Sequence, residues 1–331
     1  MQWLVVMGGL LVGSLALGLV SFRLTRRIEQ AVPINGRFIE VGGERIHYVD
    51  EGKGPALVMI HGLMGSSRNL THSLAPALRE QFRVITLDRP GSGYSTRARG
   101  AAADLPAQAR LIAQLIRTLD LGQPLVLGHS LGGAVALTLA VEHPQSLSGL
   151  VLVAPLTHPQ RMLPLVFLSL AVRPGFLRRW VALTLATPLG MLSRHQAVRQ
   201  VFAPDPPPAD FAERGGGLLG MRPNNFYAAS TEIALVNRTL PDLVKHYPGL
   251  KLPVGLIYGA EDRVLDYRKH GQAMAGKVPG LILEVLAGRG HMLPITAVDP
   301  VVAMVQRIAT EARPQPSATL LYPPFAASKA C

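Results

Sequence analysis

The chain has 331 residues, enough for one large domain with attachments and an ample buried core. Its 33 Lys and Arg outnumber 21 Asp and Glu, a formal charge of +12 that suits an anionic partner. Aromatics are only 5% and do not interleave with basic residues, so no nucleic-acid module is expected and a membrane surface is the better partner. The single cysteine, Cys331, excludes an intrachain disulfide, and at its terminal position it is no candidate for a rigidly held thiol nucleophile.

In chain order, Trp3 to Phe22 carries no charge, and about 20 apolar or small residues in a helix span a hydrocarbon core. Arg23, Arg26 and Arg27 follow. Residues 1–27 are therefore expected to be a single-pass membrane anchor with a basic flank, and the positive-inside rule puts the remainder of the chain in the cytoplasm. The alternative is a cleaved signal peptide, which would export the domain.

From about residue 34 strand-like and helix-like patterns alternate. Phe38–Val41 and Arg45–Val49 flank Gly42-Gly43 and read as a hairpin. Ala56–Ile60 is a continuous apolar run, the pattern of a strand buried on both faces. Arg83–Leu87 is the next strand, Leu105–Leu119 has helical spacing, Pro124–Leu127 is another buried strand, Leu131–Val141 a helix and Leu150–Val153 a strand. Such alternation predicts an α/β fold, a mostly parallel sheet with helices on both faces.

Between Leu156 and Tyr247 this rhythm breaks. Prolines recur at 159, 164, 174, 188 and 206–208, and the first half carries Arg161, Arg173, Arg178, Arg179, Arg194 and Arg199 with no acidic residue. Residues 156–247 read as a helical insertion lying over the sheet. Strands resume at Val254–Tyr258 and Leu281–Val285, and Pro300–Ala312 is the closing helix, so 34–155 and 248–312 form one interrupted core. The Pro- and Ala-rich residues 313–331 are expected to be disordered.

Gly128-His129-Ser130-Leu131-Gly132-Gly133 stands between a strand and a helix, the setting of a G-x-S-x-G nucleophile elbow. Glycines two residues either side of Ser130 leave room in a crowded turn, and the helix N-terminus brings unpaired N–H groups to the reacting centre. A serine hydroxyl is a weak nucleophile and needs a base, itself held by a carboxylate. His291, in Gly290-His291-Met292 after the last strand, is the candidate base. Asp262, in Gly259-Ala260-Glu261-Asp262, leaves the carboxyl end of its strand, where sites in parallel sheets lie. It is the candidate acid, with Glu261 and Asp266 as competitors. The loop Ala154–His158, the other place for an acid, has no carboxylate. For an oxyanion hole the sequence offers the N–H of Leu131 and one from His61-Gly62-Leu63-Met64-Gly65, Leu63 first and Met64 second. His61 is expected to hydrogen-bond backbone.

Those segments, together with Asp88-Arg89-Pro90-Gly91-Ser92-Gly93-Tyr94-Ser95, stand in an order that resembles the α/β-hydrolase superfamily over residues 34 to 312, in its esterase, lipase and haloperoxidase-like branch. The resemblance implies an eight-stranded sheet with a helical cap between the sixth and seventh strands. Asp88 matches a turn-forming position. Epoxide hydrolases and haloalkane dehalogenases use an aspartate at the elbow, where this chain has Ser130.

What the resemblance implies for chemistry is hydrolysis of a carboxylic ester through an acyl-enzyme, with His129, Met64 and Met292 as candidate substrate contacts. The oily, Arg-rich cap and the N-terminal helix point to lipophilic or acyl-lipid substrates. Acyl transfer, perhydrolysis or carbon–carbon hydrolysis on the same triad, or a non-catalytic membrane-tethered partner, are the alternatives. No metal or organic cofactor is expected: the histidines do not cluster at ligand spacing, and Gly215-Gly216-Gly217 lacks the strand and helix of a phosphate loop.

Overall fold

The computed structural model describes residues 2–160 and 162–312. The tail 313–331, expected to be disordered, lies outside the described residues.

The apolar runs become a sheet of eight strands: β1 Arg37–Val41, β2 Glu44–Glu51, β3 Ala56–Ile60, β4 Arg83–Leu87, β5 Leu125–His129, β6 Gly149–Val153, β7 Val254–Gly259 and β8 Ile282–Leu286. Their order is β1-β2-β4-β3-β5-β6-β7-β8. The hairpin β1–β2 pairs antiparallel, as does β2 with β4, and every later pairing is parallel. Each residue of β5, β6 and β7 is buried, as Val- and Leu-rich strands with helices on both sides must be. Period-two alternation sends Val58 and Ile60 into one core and Leu57 and Met59 into the other.

Helices α1 Gln2–Ala31, α2 Arg68–Thr71, α3 Leu74–Leu78, α4 Leu105–Thr118 and α5 Leu131–Glu142 precede the insertion. The Asp104 side chain caps α4 by accepting from Ala107 N–H, with Pro106 in the first turn. Helices α4 and α5 cover one face of the sheet; α3 and the closing helix cover the other.

Between the neighbouring strands β6 and β7 stand α6 Gly175–Val181, a π-turn Ala182–Ala186, α7 Thr187–Phe202 and α8 Pro223–Lys245. The first three run without interruption. After β7 come α9 Ala273–Ala275, α10 Leu293–Thr296 and α11 Val298–Glu311.

Helix α8 is locked to the sheet by an ion pair that sequence reasoning does not reveal. Arg89, two residues past the end of β4, is 0% exposed and meets Glu232 of α8 at 2.5 Å. The same guanidinium donates to the carbonyls of His61 and Gly62, each at 3.0 Å, and to Gln108 at 2.8 Å.

Helix α1 is longer than the apolar run implies. It passes Phe22 and its three arginines and stops at Ala31, because Pro33 drives the residue before it out of helical geometry. From Ser14 onward one stripe, Ser14, Leu17, Gly18, Ser21, Leu24, Thr25 and Ile28, is partly or fully covered. The spacing of three and four is that of a single helix face.

Removing one partner of a buried pair strands the other charge, at about 3–5 kcal/mol. Glu232→Ala is expected to lower unfolding free energy by that order in urea titrations. Glu232→Gln, which keeps an acceptor oxygen, should lose less; equal losses would contradict the assignment.

Candidate active site

Ser130 joins the last residue of β5 to the first of α5 with φ 55° and ψ −120°. A left-handed φ is strained for a non-glycine residue and persists only where neighbours enforce it. Here Ser130 N–H donates to Val153 O at 3.0 Å, and its carbonyl accepts from Gly133 and Leu156, each at 2.9 Å. The turn is too tight for side chains around it: a Cβ on Gly132 would run into the carbonyls of Ile60 and His61. The loop after β3 passes just as closely, since a Cβ on Gly62 would lie 2.9 Å from Ser130 Cβ.

His291 lies between β8 and α10, buried, with Nδ1 2.7 Å from Asp262 Oδ2. The other carboxylate oxygen accepts from Val264 N–H at 2.7 Å and Leu265 N–H at 2.9 Å. Asp262 is thus fixed at both oxygens, and it in turn fixes the ring with its proton on Nδ1, leaving Nε2 as the free lone pair. Of the competing carboxylates, Glu261 is exposed and Asp266 accepts from Arg268 N–H. Ser130 and His291 line the same cavity; no hydrogen bond joins Ser130 Oγ to His291 in this structure.

The backbone supplies open donors beside Ser130. Leu131 is the first residue of α5, where helix N–H groups lack partners, and Leu63 N–H has no acceptor among the described residues. Met64 follows at φ 54°. This loop is braced from behind by His61. Arg89 N–H donates to His61 Nε2 at 3.0 Å, so Nδ1 carries the proton and donates to Gly62 O at 2.8 Å. Burial, aided by the nearby Arg89 charge, holds the His61 pKa at about 3, so the ring is neutral.

His129 does more than pack. Its Nε2–H donates to His291 O at 3.1 Å, while Nδ1 is buried without a partner. Burial and then the neighbouring His291 lower its pKa to about 3. Sequence reasoning also missed Asp205, which accepts from Gly290 N–H at 2.9 Å and from Arg289 at 2.8 Å and so steadies the loop carrying His291. Asp88, buried, bonds His47 and the N–H groups of Ser67 and Tyr94, in keeping with a turn-forming role.

The cavity measures about 310 Å³ and is walled by the insertion. Leu63, Met64, His129 and Met292 line it from the core, and Phe167, Leu185 and Phe226 line it from the insertion. No Asp, Glu, Lys or Arg is among the described residues that line it. No group of three or more His, Cys, Asp or Glu among the described residues is arranged to hold a metal ion.

A family model described as the alpha/beta hydrolase fold matches residues 55–298. Haloalkane dehalogenase 2 of Mycobacterium bovis is 35% identical over 123 residues, which are 37% of this chain and 43% of that protein. The chain thus spans less than half the length of the curated relatives it matches first. Among solved structures, an alpha/beta hydrolase fold protein from Burkholderia ambifaria superposes with TM-score 0.68 at 26% identity, covering 82% of this chain and 100% of the other. A thermophilic esterase from Thermogutta terrifontis reaches TM-score 0.67 at 21% identity, covering 84% and 100%.

The buried histidines make the fold acid-sensitive. Burial is the main cause of depression at His61 and His129, both about 3, and at His158 and His270, both about 4. An unfolded histidine titrates near 6.5, so below that pH the unfolded chain binds protons that the folded chain refuses. Stability is then full above about pH 6.5 and lost as pH falls toward 4 and 3. His47 works in the opposite sense: burial lowers its pKa, but the bond and charge of Asp88 outweigh this and raise it. Four depressed groups against one raised group predict a urea midpoint that drops steadily from pH 7 to pH 5. A flat or rising profile would contradict neutral burial.

Proposed function

Because the chain belongs to the α/β-hydrolase family, we propose that it is a serine hydrolase cleaving a carboxylic ester of a lipophilic, acyl-lipid type. The observation that carries this reading is the His291–Asp262 pair, joined at 2.7 Å, with His291 lining the same cavity as a strained serine at a strand–helix elbow. In the proposed reaction His291 Nε2 takes the Ser130 proton as the alkoxide attacks the ester carbonyl. The N–H groups of Leu131 and Leu63 receive the oxyanion, worth a few kcal/mol each in a site that excludes water. His291 then gives the proton to the departing alcohol, and water repeats the sequence to release the acid. Asp262 holds the ring in the tautomer that leaves Nε2 free. His129 positions His291 through its backbone carbonyl, and Met64 and Met292 contact the substrate.

The substrate class is supported by the charge-free, largely apolar lining, which favours an uncharged acyl chain over a polar metabolite. The likeness to a haloalkane dehalogenase is not extended to that reaction, since such enzymes place an aspartate where this chain has Ser130.

In this proposal helix α1 is a single-pass anchor with the catalytic domain in the cytoplasm. Its segment Val6–Ala31 has a mean hydropathy of 1.7, and its basic residues lie at the domain end. Two features favour a retained helix over a cleaved signal: Ile28 is buried in the folded body, and Glu29 pairs with Arg222 at 3.0 Å.

A fluorophosphonate probe is expected to label the native chain and fail on Ser130→Ala at unchanged thermal stability. With p-nitrophenyl esters, kcat/KM should rise about fourfold per added methylene, the worth of one buried CH2, until the cavity is filled. Loss of labelling only in other variants, or a preference for acetate, would contradict the proposal. Orientation is read from the one thiol, Cys331: a membrane-impermeant maleimide should modify it only after the cells are permeabilised, and modification of intact cells would reverse the assignment.

A further inference from the structure

The continuous helical segment Gly175–Phe202 presents two faces. Val181, Leu185 and Ala186 line the cavity. On the outside, Phe176 and Leu192 are each 81% exposed, and Leu177, Trp180 and Leu183 are exposed beside them. The short turn Leu165–Leu170 adds Leu165 and Leu168. Outside helix α1 and residues 162–192, only Ile34 and Val285 among the described residues are large apolar side chains left exposed. A patch so concentrated marks an interaction surface rather than ordinary scatter.

The patch is continuous with α1. Trp180 Nε1–H donates to Ser14 Oγ at 3.3 Å, and α1 packs along the π-turn and α7. From Ser14 to Phe22 the helix carries no charged residue, and it lies with one face along the cap while Leu15, Leu19, Val20 and Phe22 are exposed on the other. An apolar layer that takes up this stretch of α1 therefore takes up the cap beside it too.

Charge and access agree with this. No Asp or Glu occurs from Leu156 to Pro204, while Arg173, Arg179 and Arg199 are exposed there, suited to anionic headgroups that long cationic side chains can reach. Arg178, buried, is satisfied by Ser230, Thr231 and the carbonyls of Val172 and Arg173. Ser169, Leu189 and Ser193 both line the cavity and are exposed, so the cavity reaches the surface among these apolar side chains.

We propose that the segment Gly175–Phe202, with the turn Leu165–Leu170, is inserted beside α1 into one leaflet of an anionic bilayer, so that the cavity mouth at Ser169, Leu189 and Ser193 opens into the acyl-chain region. Substrate then reaches Ser130 from the bilayer without passing through water. This rests on the reading of the site as one for lipophilic esters.

The chain has two tryptophans, Trp3 and Trp180, which makes the test direct. In full-length Trp3→Phe, Trp180 is the sole indole. Reconstituted in phosphatidylcholine–phosphatidylglycerol vesicles with bromine at a shallow acyl-chain carbon, its fluorescence should fall by half or more relative to unbrominated lipid. Phe176→Ser with Leu192→Ser, both outside the cavity lining, should lower hydrolysis of a vesicle-embedded ester tenfold or more and leave a soluble short ester unchanged. Unquenched Trp180 overturns the proposal, whether Trp3 in Trp180→Phe is quenched or not, and so does a blue-shifted but unquenched Trp180 in a cross-linkable dimer, which would assign the face to a second copy. Fluorophosphonate labelling on the same vesicles separates the two readings: quenching without labelling removes the hydrolase and keeps the insertion, and labelling without quenching does the reverse.

Discussion

A guanidinium shut away from water must be matched on every side, and the placement of Arg89 follows from that requirement. Left unpaired, its charge would cost several kcal/mol of stability. The matching groups come from three parts of the chain: the carbonyls of His61 and Gly62 behind the loop that carries Leu63, Gln108 of α4, and Glu232 of α8. Because the bonds are planar and directional, moving any of these parts would leave the charge partly unmet. One side chain thereby couples the position of the donor loop beside Ser130 to the seating of the insertion that forms the cavity.

The groups of the proposed triad are held on the same principle of fixed partners rather than contacts formed on demand. Val153, Gly133 and Leu156 enforce the strained backbone of Ser130, while Val264 and Leu265 fix the carboxylate that fixes His291. The neutral rings of His61 and His129 belong to this scaffold. Each uses its single N–H on a backbone carbonyl, so neither competes with His291 for a proton near neutrality. Donors aligned before substrate arrives need no reorganisation as charge develops, which is where most of the benefit of such a site resides.

The elements legible in the sequence are those specified locally. The strands from Ala56 to Val153 declare themselves as unbroken apolar runs, and the elbow is legible because Gly128 and Gly132 flank Ser130 at a strand–helix junction. Asp262 is legible through its place at the end of a strand, a consequence of topology. What escapes is pairing across long separations: Arg89 and Glu232 are 143 positions apart, His129 and His291 are 162, and Asp205 and Gly290 are 85. No periodicity encodes such partners, and each residue alone looks like an ordinary polar side chain. The end of α1 misleads for a different reason. Arg23, Arg26 and Arg27 look like a boundary, yet arginine is a good helix former and only Pro33 stops the helix.

The absence of Asp, Glu, Lys and Arg from the described lining bears on how a turnover of the proposed hydrolysis ends. In the proposed reaction an ester enters neutral, but its acid product is ionised at neutral pH, and an isolated carboxylate in an apolar enclosure is strongly disfavoured. With no lysine or arginine on the described lining to shelter it, the nascent anion is driven outward by the same surface that welcomed its precursor. A chamber built this way clears itself, and the exposed arginines outside its rim give the departing headgroup somewhere to go.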